Sequence, residues 1–551
     1  MMRKILAAAL GNCVHVAGVL NFLRKAQSVG YETVFLGPAT PVGKLLDAVD
    51  DLKPDIVAVS YRLTPQVAQT LFEQLRDDAR RRGMSHMRFA LGGTPPVGQV
   101  AQQVGIFEAI FTGEEDEEDI LSYLRGQDKA TTAEDFGTGL LQRVDGSYPM
   151  PILRHHYGQP TVEATVEGAR RIAEARAVDV ISIGPDQNAQ ESFFRPDEMK
   201  PELSGAGGVP LRIPADLRAI YEASRCGNYP LVRCYSGTRD LLKWARVHVD
   251  TIHNAWGAIP LCWYNTLDAR SPRPPQESIA ENIQTMRWYG EQGIPVECNE
   301  AHHWSMREAH DTIAVVAAYL GAYVCKSVGV GAYVSQYMFN SPATTSSAMD
   351  LAKMLAKVEL IQGLVDDSFR VIHQTRAGLL CFSPDPDVAK GQLAASTVLQ
   401  LQVRPHIIHV VGFCEGDHAA KVEDILESCG IVKGVLRQAL ADMPDMTGDE
   451  RVQRRKEELV HEAGLLLGAL RGLGAQHGVE GDPLIDPQII ASAIKLGYLD
   501  APHLCGNEWA AGRLATASVD GAIRAIDFET GQVLSEEDRL RALTDTGQSA
   551  S

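Results

Sequence analysis

Short apolar runs alternate with amphipathic stretches over residues 1–125. The runs are RKILAAAL (3–10), YETVFLGP (31–38), DIVAVSY (55–61), MRFALGG (87–93) and AIFTG (109–113). Between them apolar residues recur at helical spacing, first at Leu20, Phe22, Leu23 and Val29, then over 41–52, 65–83 and 97–105. This alternation predicts parallel βαβ units in a doubly wound α/β sheet. Ligands of such sheets bind outside the carboxyl ends of the strands. The loops that matter are therefore GNCVHVAG (11–18), SYRLT (60–64) and GGTPPVG (92–98). No GxGxxG follows the first strand, which argues against a dinucleotide site.

A polar, Gly-containing stretch, 126–149, reads as a linker. From Met150 onward the alternation resumes with VDVISIG (178–184), YPLVRCYSG (229–237), AIPLCWYN (258–265), IPVECNE (294–300), GAYVSQY (331–337) and HIIHVV (406–411). Helical patterns such as 278–292 and 344–363 separate them. Six or more such units predict an (α/β)8 TIM barrel over 150–530, with a C-terminal extension. The segment 448–478 is charged, then apolar, and suits a packing or dimer helix. Residues 531–551 read as a tail, expected to fray from Glu536.

The 551 residues carry 52 Lys and Arg against 70 Asp and Glu, a formal charge of -18. That balance argues against a nucleic-acid partner. No apolar run reaches the ~18 residues a membrane span needs. MMRKILAAALGNCVHVAG superficially resembles a signal peptide, but its apolar part runs into the first strand and loop, so a cytoplasmic location is expected. Ten cysteines are scattered with no CxxC, which disfavours structural zinc, an iron–sulfur cluster and a disulfide framework. At the barrel's strand ends the polar candidates are Arg154, Gln190, Arg233, Tyr264, Asn265, Glu300, His302, His303, Gln336, His373, Gln374 and Glu415. The adjacent histidines lack the HxH spacing of barrel metallohydrolases.

His15 and Gly18 fit the HxxG half of the DxHxxG signature, and the N-terminal domain thereby resembles cobalamin-binding domains. The resemblance implies His15 as the axial ligand to cobalt, with Gly18, Ser60, Gly92 and Gly93 leaving room for the cofactor's nucleotide tail. Cys13 stands where the family has Asp, whose carboxylate would hydrogen-bond the second imidazole nitrogen; a thiol is a poor substitute. Corrinoid methyltransferase modules carry a helical cap before this domain. A first strand beginning at residue 3 leaves no room for one, which points to the mutase-type arrangement.

The barrel is similar to the large (epsilon) subunit of the glutamate mutase (methylaspartate mutase) family over about residues 150–530. The likeness is best in MRWYGEQGIPVECNEA (286–301), HQTRAGLLCFSPDPDVAKGQLAASTV (373–398) and GYLDAP (497–502). The cobalamin domain looks like that family's small subunit, fused in front. The resemblance implies adenosylcobalamin as cofactor, a radical carbon-skeleton rearrangement, and a small carboxylic (amino) acid as substrate. It places Arg154 and Arg233 as carboxylate clamps, a role suited to the planar guanidinium fork. Tyr264 falls on a substrate-contacting tyrosine, Glu415 on the carboxylate that binds the adenosyl ribose, and Glu300 on a glutamate beside the site. Gln190 stands where a third arginine is expected, AIPLCW lacks the carboxylate that anchors an amino group, and Val411 replaces a lysine. These departures imply fewer contacts than glutamate needs. A homodimer is expected from the family. The alternatives are a cobalamin-dependent methyltransferase or lyase on the same folds, or a cobalamin-binding protein without catalysis.

Overall fold

Lys4–Ala9 (β1), Glu32–Phe35 (β2), Ile56–Tyr61 (β3), Arg88–Gly93 (β4) and Ala109–Phe111 (β5) form a parallel sheet in the order β2-β1-β3-β4-β5. The computed structural model describes residues 3–84, 86–113, 115, 117–125, 132–439 and 442–548. Every residue of β3 is buried, as befits a strand covered on both faces. Ile5 and Ala7 pack toward the helices Ala17–Ser28 and Glu117–Arg125, while Leu6 and Ala8 pack toward those starting at Val42, Pro65 and Pro95. The strand order reverses between β1 and β3, so their carboxyl ends open a crevice at that switch point. Leu10 N–H donates to the Ser60 carbonyl at 3.0 Å and holds the two ends side by side.

The chain divides into two compact units, residues 1–130 and 131–551. The second is an eight-stranded parallel barrel of Ile152–Tyr157 (β6), Val180–Ile183 (β7), Leu231–Cys234 (β8), Gly257–Ile259 (β9), Val296–Cys298 (β10), Ala332–Phe339 (β11), Arg370–Ala377 (β12) and Ile407–His409 (β13). Hydrogen-bonded ladders run β8-β7-β6-β13-β12-β11-β10-β9, and β8 and β9 lie beside each other at a seam that nearly closes the ring. β6 and β12 are the strands the apolar runs do not announce.

Of the stretch 126–149, residues 126–131 lie outside the described residues. Leu140–Ser147 is a helix that closes the floor of the barrel. Its Leu140 and Val144 pack against Ile152, Val180, Leu231, Trp256, Val334, Ile372 and Ile407. Arg143 adds donors to the carbonyls of Asn228 and Tyr229. The long helix Glu450–Gln476 packs Leu459, Ala463, Leu466 and Leu470 into the same core as Ile313 and Ile489.

The tail corrects the expectation of fraying. Glu536–Gln548 is helical, and Glu536 and Arg539 of its first turn are buried. Arg539 bonds Glu536 and donates to the carbonyls of Gly497 and Tyr498, which end a neighbouring helix, so the tail is tied down. Residues 549–551 lie outside the described residues. Among the described residues no helix is long and apolar enough to cross a membrane.

Candidate functional site

In the first unit the loop after β1 presents His15 to solvent. Its Nδ1 lies 3.8 Å from Sγ of Cys13, which is fully buried. Ser60, at the end of β3, donates its hydroxyl to the His15 carbonyl at 3.3 Å and fixes the loop. Nε2 of His15 has no partner among the described residues and is open to an incoming ligand. Beside this loop runs a groove of about 220 Å³ whose walls include Gly18, Phe22, Ser60, Gly92, Gly93 and Thr112. A Cβ on Gly18 or on Gly92 would meet nothing within 4 Å, so both glycines border open space. Gly93 differs: a Cβ there would come within 3.1 Å of the Tyr61 carbonyl and of Val97. Its lack of a side chain serves the packing of strand on helix as well as the groove. An imidazole with one nitrogen beside a buried thiol and the other open, next to a groove bordered by glycines, is a donor set that a corrinoid could use.

In the second unit a cavity of about 570 Å³ opens at the carboxyl ends of the barrel strands. Every strand or the loop after it contributes: His156 from β6, Gln190 after β7, Tyr235 after β8, Tyr264 after β9, Asn299, His302 and His303 after β10, Met338 from β11, Arg376 from β12 and Glu415 after β13. Catalytic sites of such barrels lie at this end. Arg270 also lines the cavity, its guanidinium 5.0 Å from the Tyr264 ring centre. Burial, and then the Arg154 and Arg233 charges, hold His156 well below its ordinary pKa. Burial and Arg376 do the same to His302. These imidazoles are neutral in a field of guanidiniums. Burial pushes the Tyr264 phenol up to about 12, so it is a neutral donor.

Arg154 and Arg233 are brought together, but not at the cavity wall. They precede His156 and Tyr235 by two positions, on the same side of β6 and β8, and so lie one layer deeper. Arg154 Nη1 donates to Glu297 at 2.9 Å and to Gln374 at 2.7 Å, and Arg233 Nη1 donates to the same Glu297 oxygen at 2.9 Å. Trp256 Nε1 completes the set at 2.7 Å. Their exposures are 1% and 0%, so the expected clamps are engaged by a protein carboxylate instead of facing a substrate. Arg233 Nε and Nη2 have no hydrogen-bond partner among the described residues.

Glu300 also departs from expectation. Its carboxylate accepts the Leu261 and Cys262 N–H groups at 2.8 and 3.0 Å and the Trp304 indole at 2.7 Å, and it does not line the cavity. It pins the loop after β9 in place. Asn265 staples that same loop to Cys262 and Ser278, and His373 bonds the Tyr337 hydroxyl. Glu415 and Tyr264 do line the cavity, as does Gln190, whose Nε2 is held by the Pro185 carbonyl at 2.7 Å. His156, Tyr235, Arg270, Asn299 and Arg376 are cavity residues that the sequence candidates omit. The period of two along a strand would have found His156 from Arg154 and Arg376 from Gln374.

A family model for the B12 binding domain matches residues 3–121. No curated protein matches the chain. Among solved structures, a cobalamin-binding protein from Desulfitobacterium hafniense is 26% identical, over 22% of this chain and 56% of that one, with a TM-score of 0.20. The chain thus spans little more than half the length of that protein. Phospho-2-dehydro-3-deoxyheptonate aldolase from Thermotoga maritima is 13% identical, over 58% of this chain and 77% of that one, with a TM-score of 0.33.

Proposed function

We propose that this chain is an adenosylcobalamin-dependent carbon-skeleton mutase that acts on a small carboxylic acid. The observation that carries this reading is the guanidinium-lined cavity at the carboxyl end of the barrel, in a chain whose first unit carries a B12-binding domain. His15 Nε2 would ligate the cobalt, with Gly18, Ser60 and Gly92 bordering the tail. When bound, the adenosyl cofactor supplies radical chemistry that exchanges a hydrogen and a neighbouring group on adjacent carbons.

The chain's own part is to bind, orient and exclude water. Arg376 and Arg270 are the guanidiniums placed to take a substrate carboxylate. Tyr264, neutral at ordinary pH, donates a hydrogen bond that orients the acid. His156 is held by Arg154 at 2.8 Å and stays uncharged, so it separates the deep arginines from the cavity without adding a cation. Glu415 is an acceptor suited to ribose hydroxyls. Histidines kept neutral suit a reaction that moves hydrogen atoms rather than protons.

The test is electron paramagnetic resonance of the chain loaded with adenosylcobalamin, screened against small mono- and dicarboxylic acids with and without an amino group. A paramagnetic signal that depends on one acid supports the reading. Silence with every acid, while the cofactor is bound, retires it. Arg376→Ala should raise the acid concentration required by about 10- to 100-fold, the loss of one charge-assisted hydrogen-bond set of ~1.5–3 kcal/mol.

A further inference from the structure

A second constellation of ligand atoms lies on the turn that carries Glu415. Cys414 belongs to the turn Phe413–Gly416, His418 follows it, and Asp424 sits in the first turn of the helix Val422–Ala439. One ligand atom from each of the three lies within 4.8 Å of the others. The backbone holds them there: His418 N–H donates to the Cys414 carbonyl at 2.8 Å, and Asp424 accepts the Lys421 N–H at 2.9 Å. His418 Nδ1 is 2.9 Å from Asp417, and Nε2 faces Asp424 at 3.2 Å. Both ring nitrogens thus face carboxylates; with an ion bound between Nε2 and Asp424, Asp417 on Nδ1 would hold the ring as a carboxylate commonly holds a metal-bound imidazole.

An independent observation comes from β6. His155 is buried, and its Nδ1 is 2.6 Å from the His156 carbonyl, which makes Nδ1 the donor and leaves Nε2 with its lone pair. That Nε2 has no hydrogen-bond partner among the described residues. Nε2 of His155 and Sγ of Cys414 lie 3.2 and 3.4 Å from one point, the place a Cβ on Gly412 would take. This buried imidazole nitrogen, with the Glu415 carboxylate 3.8 Å away as its nearest charged group, lies on the side of the turn that carries the thiol.

We propose that Cys414, His418 and Asp424 form a zinc site, with the fourth position open to water. One thiolate, one imidazole and one carboxylate suit a borderline-soft cation and are a poor set for magnesium or calcium, which prefer oxygen alone. The site uses a single cysteine, so the absence of CxxC pairs says nothing about it. His418 is 40% exposed, which gives the ion a way in. The cation would clip the turn to the helix and fix the aim of Glu415 into the cavity. The proposal does not rest on the cobalamin reading.

The experiment strips the full-length chain with a chelator, removes the chelator, and titrates Zn²⁺ in competition with a chromophoric indicator. Co²⁺ substituted in cobalamin-free protein then reports thiolate ligation through its charge-transfer absorption. About one zinc per chain is expected. Cys414→Ser should abolish the charge-transfer band, and Asp417→Asn should weaken binding by about 10- to 100-fold. His418→Ala, at an exposed position that the fold tolerates, should lose the site while circular dichroism stays unchanged. His15→Ala should keep it. Failure of the wild-type chain to bind zinc at micromolar concentrations would overturn the proposal, as would unchanged affinity in Cys414→Ser and His418→Ala.

Discussion

Replacing Glu297 with Gln removes the one carboxylate shared by two buried guanidiniums. Burial alone would raise this carboxyl; Arg154, Arg233 and the Trp256 indole overcome it and bring it from an ordinary 4.5 down to about 2. At 1.36 kcal/mol per pH unit, that gap corresponds to about 3 kcal/mol of folding stability. The folded value is the depressed one, so the contribution is complete above pH 4.5 and disappears as pH falls toward about 2. Arg154 is itself brought down to about 9, by burial and then by Arg233. The two directions agree once the charges are counted, because one anion between two cations is stabilised while Arg154 bears burial and the repulsion of the second cation. Glu297→Gln leaves both cations uncompensated and should cost about 3–5 kcal/mol. Arg154→Met leaves a one-to-one pair and should cost less. All 6 tryptophans lie between residues 244 and 509, so their fluorescence in urea reports the barrel unit alone. A Glu297→Gln midpoint equal to wild type, or a larger loss for Arg154→Met than for Glu297→Gln, would refute the shared-carboxylate account.

Three further outcomes are expected. Gly92→Val places atoms where a Cβ now meets nothing, so thermal unfolding should be unchanged while cobalamin affinity, read by equilibrium dialysis, falls at least about 10-fold; equal affinity would mean the groove is not used. Leu140→Ala removes the main apolar side chain of the floor helix and should lower barrel stability by about 2–4 kcal/mol in the same tryptophan assay. Arg539→Ala leaves the Gly497 and Tyr498 carbonyls and Glu536 without their partner, and limited proteolysis should then trim the C-terminal helix that wild type protects.

The inner strands of the first unit were legible because a strand covered on both faces is an unbroken apolar run, as in IVAVSY of β3, and the shorter edge strands β2 and β5 followed from the alternation around them. β12 escaped for the opposite reason. Its sequence RVIHQTRA places Gln374 beside Arg154 and Arg376 at the cavity, and a polar interior erases the apolar run. The floor helix escaped because it lies in a polar stretch and buries only one narrow stripe. The tail looked loose because what binds it is not a local pattern but two carbonyls some 40 residues away.

Depth is the property that sequence could not supply for the arginines. A period of two puts Arg154 and His156 on one face of β6, and Arg233 and Tyr235 on one side of the chain as it leaves β8; neither says which layer meets the ligand. That is decided by Glu297 on β10, which draws both guanidiniums down to itself. Two cations on one carboxylate leave an excess positive charge directly beneath His156 and Tyr235, and the ring of Tyr235 lies 5.2 Å from the Arg233 guanidinium. A chain of formal charge -18 thus keeps a cationic focus inside its barrel. An acid in the cavity would touch Arg376 and Arg270 and feel Arg154 and Arg233 only through the intervening rings. Arg154→Met should accordingly weaken acid binding less than Arg376→Ala does, and the reverse order would put the deep pair back in direct contact with the substrate.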